Sequence, residues 1–193
     1  MKPQMWMVVS VVLGGWTVKR EQKIVAIGAL SGILFMIVGV WMLQRSLPMP
    51  QDASTIAGRL AYAVSWNAFA ALPLFAMIVA VGNARFASDA IDPNIGAESQ
   101  SMIIDGRVTD NTLQQFALFV AGSLALAANV PPDLVTLIGA AAIVFVIARI
   151  CFWIGYRIDP LYRAFGFSSV IYLNLGLLVS ALYFGLGQMI GRN

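Results

Sequence analysis

The chain has 193 residues, 60% hydrophobic and only 11% charged, with a net charge of +3 and a mean hydropathy of +0.82. A soluble domain carries about 25% charged residues because its surface must be wetted, so twelve basic and nine acidic side chains exclude a water-covered globule and leave lipid as the solvent. No Lys/Arg cluster with interleaved aromatics suggests nucleic acid, the single Cys151 allows no intrachain disulfide or cysteine metal cluster, and the lack of histidine removes the commonest metal ligand and general base.

Residues 1–23 read as an interfacial or disordered leader. Met5 to Val18 is apolar but short for a span, and Lys19, Arg20 and Lys23 follow it, whereas a secretory signal carries its charges first. A span needs about 20 apolar residues. The first is Ile24 to Leu43, uncharged, with Gly28, Gly32 and Gly39 along it. Pro48 and Pro50 break the chain after it, and Asp52 and Ser54 are candidate N-caps for the second span. That second span is Leu60 to Val81, with Asn67 and Pro73 inside.

From Gly82 to Asp110 the chain is polar, with Asp89, Asp92, Glu98, Asp105 and Asp110, and it reads as a long inter-helix loop, either a solvated linker or a lid. The third span runs from Asn111 to Asn129. Pro131, Pro132 and Asp133 make a tight corner that leaves it antiparallel to the fourth, Leu134 to Tyr156. Asp159 and Pro160 then supply an N-cap and a first-turn proline for a short piece ending at Gly166. The fifth span is Phe167 to Ile190. Asn67, Ser65, Asn174 and Ser180 read as makers of interhelical hydrogen bonds, and the glycines at 28, 32, 39, 176, 185 and 187 as points of close packing.

The positive-inside rule orients the bundle. An N-terminus in the cytoplasm puts Lys2, Lys19, Arg20, Lys23, Arg85, Arg107, Arg157 and Arg163 inside and only Arg45, Arg59 and Arg192 outside. A bacterial inner membrane is the simplest location for such a chain.

Ionisable side chains within a span need a partner or a wet cavity. Arg107, Asn111 and Gln114 are spaced i, i+4, i+7 on one stripe at the cytoplasmic end of the third span. Arg149, Phe152 and Tyr156 recur at i, i+3, i+7 in the fourth, and Arg85 follows the second by about a turn. Arginine, amide and phenol groups so gathered suit a small polyanionic ligand, because guanidinium forks match carboxylates. The alternative is snorkelling to the headgroups.

The stretch Arg107-Val-Thr-Asp-Asn111-Thr-Leu-Gln114-Gln-Phe-Ala117-Leu-Phe119 resembles a helix signature of the MAPEG family, the membrane-associated proteins in eicosanoid and glutathione metabolism. Arg149-Ile-Cys-Phe152-Trp-Ile-Gly155-Tyr156 resembles the next family helix, with Arg163 seven residues beyond Tyr156. Pro160 lies between the last two, so that relation is not a helical spacing. Gln114 stands where the family has glutamate, Ala117 where proline is common, and Phe152 where tyrosine often sits.

The resemblance covers about residues 60–190. It implies an all-α integral membrane protein, a MAPEG-like four-helix bundle at 60–190 with one extra N-terminal transmembrane helix at 24–43. It further implies a homotrimer with glutathione as co-substrate and no metal. Arg85, Arg107, Asn111, Gln114, Arg149, Phe152 and Tyr156 would bind glutathione, and Arg163 would stabilise its thiolate. The electrophile would be lipophilic or a lipid hydroperoxide, delivered from the bilayer. The alternative reading is a non-catalytic family member serving as an assembly or interaction subunit. A small transporter fits less well, since no repeated acid or broken-helix pair marks an ion path.

Overall fold

A computed structural model of the chain describes residues 19–92, 94 and 96–191. Most of the leader, residues 1–18, and Arg192 lie outside the described residues. Regular structure among the described residues is helical throughout: α1 (Arg20–Ser46), α2 (Ile56–Ala70), α3 (Leu72–Phe86), α4 (Gln100–Asn129), α5 (Thr136–Ile158) and α6 (Arg163–Met189). Counting α2 and α3 as one span, five helices are long and apolar enough to cross a membrane.

The helix ends follow local chemistry. Gln22 Oε1 accepts the Lys19 N–H at 2.9 Å at the start of α1. That helix stops where Pro48 forces Leu47 into an extended conformation (φ −76°, ψ 137°). Thr55, rather than Asp52 or Ser54, caps α2, its Oγ1 accepting from the Gly58 N–H at 2.9 Å. Asp52 contributes its carbonyl instead, accepting from the Thr55 N–H and hydroxyl at 3.1 Å each. The expected second span, Leu60 to Val81, lies within Ile56–Phe86, as two helices that meet at Ala71, because Pro73 has no N–H to continue the backbone ladder.

Two further expectations change. The polar stretch from Gly82 to Asp110 is helical at both ends. Helix α3 runs on to Phe86, and α4 begins at Gln100, capped by Ser99, three turns before Asn111. Met102, Asp105, Val108, Thr112, Gln115 and Phe119 are all buried at helical spacing, but Asp105 and the surrounding charges mask that stripe in a hydropathy reading. There is also no separate helix ending at Gly166. Asp159 closes α5 and caps the turn, its Oδ1 accepting from the Leu161 N–H at 2.7 Å, and α6 starts at Arg163.

Helix α5 is the axis. Ile138, Val144, Phe145 and Ala148 are fully enclosed and pack with Phe119, Val170 and Leu173 in the main core. Helix α6 packs against α1, α4 and α5, and α1 seats on it through glycine. A side chain at Gly32 would overlap the Phe165 carbonyl oxygen and come within 2.9 Å of Ser169 Oγ, which itself donates to the Gly32 carbonyl at 2.9 Å.

Polar pairs join neighbouring helices: Ser123 Oγ donates to Asn67 Oδ1 at 2.8 Å, and Asn174 Nδ2 to the Gln115 carbonyl and side-chain oxygen at 2.9 Å each. Ser65 instead bonds its own helix at Ala61, and Gly176 meets open space rather than a neighbour. The outward faces carry Leu30, Leu34 and Ile37 on α1, Phe75 and Ile78 on α3, and Leu175, Val179 and Leu182 on α6. Such a continuous exposed apolar surface is what lipid solvates.

Candidate functional site

One end of the bundle gathers the start of α4, the end of α5 and the starts of α1 and α6. A cavity of about 530 Å³ opens there, within the roughly 300–1,000 Å³ of small-molecule sites. Its lining includes Arg107 and Asn111 from α4, Phe152 and Tyr156 from α5, and Arg163 and Ser168 from α6. Arg107 and Asn111 stand one turn apart, so a single face of α4 presents a guanidinium and an amide together.

The corner between α5 and α6 brings Tyr156 and Arg163 together. Tyr162 N–H donates to the Asp159 carbonyl at 2.9 Å, a turn that reverses the chain within four residues. Arg163 Nη1 then donates to Tyr156 Oη at 2.9 Å, with the guanidinium carbon 5.1 Å from the ring centroid. The proline that interrupts helical spacing here sits in the turn that creates the contact.

Behind the cavity wall lies Arg149, fully buried. Its Nη2 donates to Asn111 Oδ1 at 3.0 Å and to Thr112 Oγ1 at 2.7 Å, and its Nε to Thr112 Oγ1 at 3.2 Å. The guanidinium lies 4.1 Å from the Phe152 ring centroid, and Phe152 meets Tyr156 edge to face at 5.8 Å. Arginine offers only donors, so the Asn111 atom facing it must be the oxygen, which leaves the Asn111 amide N–H groups for the cavity. Arg149 therefore orients a lining residue without lining the cavity itself.

The remaining expected site residues lie elsewhere. Arg85, at the end of α3, pairs with Glu98 in the connection before α4 and is not among the lining residues. Gln114 is exposed on α4 beyond the cavity, while its neighbour Gln115 is the buried amide that ties α4 to Asn174.

Asp105 is a structural residue absent from the sequence candidates. Its Oδ1 accepts from Trp153 Nε1 and Arg157 Nε at 2.8 Å each, and Oδ2 from Arg157 Nη2. This buried carboxylate locks the opening of α4 to the end of α5. The acid at 105 and the Trp-x-x-x-Arg face at 153 and 157 signal such a clasp once α4 is known to begin at Gln100.

Among the described residues, the polar groups of the cavity are thus two guanidiniums, an amide donor, a phenol and a serine, set among apolar side chains. The set can hold an anionic polar molecule and stabilise a developing negative charge. Among the described residues that line the cavity there is no histidine or carboxylate.

No curated protein and no solved structure matches the chain. The family model described as MAPEG family matches residues 63–183, more than half of the sequence, from the middle of α2 to the last turns of α6 and including every lining residue named above. The chain belongs to the MAPEG family, as an integral membrane helical bundle in which, among the described residues, α1 lies ahead of the matched region.

Proposed function

We propose that the chain is a glutathione-dependent membrane transferase or peroxidase that presents a glutathione thiolate to lipophilic electrophiles or lipid hydroperoxides. The observation that carries this reading is the convergence of Arg107, Asn111, Tyr156 and Arg163 on one cavity. In it, Arg107 and the Asn111 amide hold carboxylate and backbone oxygens of the tripeptide, and Arg163 faces the sulfur.

The thiolate is the reactive form, and a free thiol has a pKa of about 8.5. Lowering it by about two units requires roughly 2.7 kcal/mol of preferential anion stabilisation. A guanidinium at about 4 Å supplies up to roughly 4 kcal/mol near a protein surface, so Arg163, exposed at the cavity, meets the requirement once bound glutathione covers it, and no histidine is needed. In conjugate addition a sulfur lone pair forms the C–S bond and the alkene π pair moves to the carbonyl. The resulting enolate takes up a proton, balancing the one the thiol released. With a hydroperoxide, sulfur attacks the distal oxygen, the O–O bond breaks and an alcohol leaves. A second glutathione then reduces the sulfenic acid to give disulfide and water.

The excess of basic residues at the cavity end of the bundle supports a cytoplasmic N-terminus, with the cavity at the inner leaflet, and the extended lipid-facing surface is compatible with a homotrimer. The exposed, uncharged Gln114 favours the second reading, a family member that assembles with partners and performs no chemistry.

Arg163→Ala tests the role given to that guanidinium. With glutathione bound at matched occupancy at pH 7, the ultraviolet thiolate absorbance falls by about tenfold or more in the variant. An unchanged band removes Arg163 from the chemistry.

A further inference from the structure

One residue lining the cavity comes from outside the family match. Val25 belongs to α1, ahead of the matched residues 63–183. Val25, Gly28, Gly32 and Gly39 fall at i, i+3, i+7 and i+14, a single stripe of α1.

Gly28 and Gly32 seat that stripe on α6, and Gly39 meets Val144 of α5. Gly32 touches the Phe165 backbone, Ser169 bonds the Gly32 carbonyl at 2.9 Å, and Phe35 packs on Phe165 at 5.4 Å between ring centroids. Helix α1 cannot slide along α6 without breaking these contacts, so the position of Val25 at the cavity is set by backbone packing.

The cavity lining is of two kinds: Arg107, Asn111, Arg163 and Ser168 are polar, and Val25, Leu161, Ala164 and Phe167 are apolar. The start of α1 also borders a second cavity of about 360 Å³, lined by Ile24, Ile27, Gly28, Leu161, Tyr162 and Phe165, and Leu161 lines both.

We infer that Val25, with Leu161 and Phe167, forms an apolar subsite for the hydrocarbon chain of the electrophile, and that α1 thereby sets chain-length specificity at the glutathione site. This rests on the glutathione reading proposed above. The hydrocarbon chain of the electrophile lies against Val25 of α1 and its polar end toward Arg163.

The test uses the full chain in lipid nanodiscs and S-alkylglutathiones from S-methyl to S-octyl, which carry both halves of the product. For the wild type, affinity rises by about fourfold per methylene over the first several carbons, as apolar burial requires. In Val25→Trp, which fills the apolar side, that rise disappears while S-methylglutathione binds within about twofold of wild type. Equal chain-length slopes in the two proteins overturn the inference.

A second measurement needs no glutathione. An eight-carbon aldehyde bearing a terminal diazirine is photolysed on the protein and the cross-links are mapped by mass spectrometry. Labels on Val25, Leu161 or Phe167 that are lost in Val25→Trp support the subsite, and labels confined to the lipid-facing residues of α3 and the second half of α6 overturn it. If S-methylglutathione does not bind at all, the glutathione reading fails and the cross-link map decides the apolar subsite by itself.

Discussion

Thr112→Val lowers the stability of the folded bundle by about 3 kcal/mol, although it replaces one side chain by another of the same shape. Thr112 is fully buried, and its hydroxyl donates to the Val108 carbonyl at 2.7 Å while accepting two bonds from Arg149. Arg149 lies in the interior of a membrane-spanning helix with no exposed surface, where an unsatisfied charge is costly. The valine leaves Nε without an acceptor and Nη2 with Asn111 alone. Nη1 already has no partner among the described residues. Hydrogen bonds to charged groups contribute about 1.5–3 kcal/mol each, and stranding the group adds its desolvation cost. Thr112→Ser keeps the hydroxyl and retains most of the stability. Denaturation midpoints of the three proteins in the same detergent check this, and a valine variant as stable as the serine variant contradicts the role given to the hydroxyl.

Gly166→Ala is the second large effect, and its sign opposes intrinsic helix propensity. In an open helical position alanine is favoured over glycine by up to about 1 kcal/mol. Gly166 lies in the first turns of α6, where a Cβ would overlap the Ala148 carbonyl oxygen and come within 2.6 Å of the Phe152 nitrogen. Both obstacles are α5 backbone and cannot rotate away, so the helices separate, at a cost of about 3 kcal/mol. Gly176, further along the same helix, has nothing within 4 Å of its Cβ position, and Gly176→Ala is neutral or stabilising. Thermal melting of the pair in parallel provides the check: a Gly166→Ala midpoint at or above that of Gly176→Ala excludes the close backbone contact. Because this contact joins the helices that carry Tyr156 and Arg163, opening it also lengthens their 2.9 Å hydrogen bond.

Much of this architecture is legible from apolar run length alone, because an uncharged stretch of 20 residues has few other fates. Run length fails where polar residues are satisfied inside the protein. The start of α4 is invisible to it because Asp105, a carboxylate that should mark a loop, is neutralised by Arg157 and Trp153 from α5. The break at Ala71 is implicit in Pro73, but hydropathy averages across it.

At the site, helical spacing relates Arg107 to Asn111 and Phe152 to Tyr156. The contact between Tyr156 and Arg163 depends on a turn whose closure by Asp159 no periodicity encodes. Spacing also cannot say that the acid paired with Arg85 would be Glu98, or that Arg149 would turn inward to Thr112. The contribution of Val25 requires knowing which helix the glycine stripe of α1 meets, a long-range fact held by α6.

The most direct test of the central claim is calorimetric titration of the detergent-purified protein with glutathione. The wild type binds in the micromolar to low millimolar range, with affinity weakened by about tenfold or more in Arg107→Ala, which removes a guanidinium from the cavity, and unchanged in Arg45→Ala, whose guanidinium stacks on Trp41 at 4.2 Å at the opposite end of the bundle. Absence of heat from wild-type protein, or equal affinity for wild type and Arg107→Ala, contradicts it.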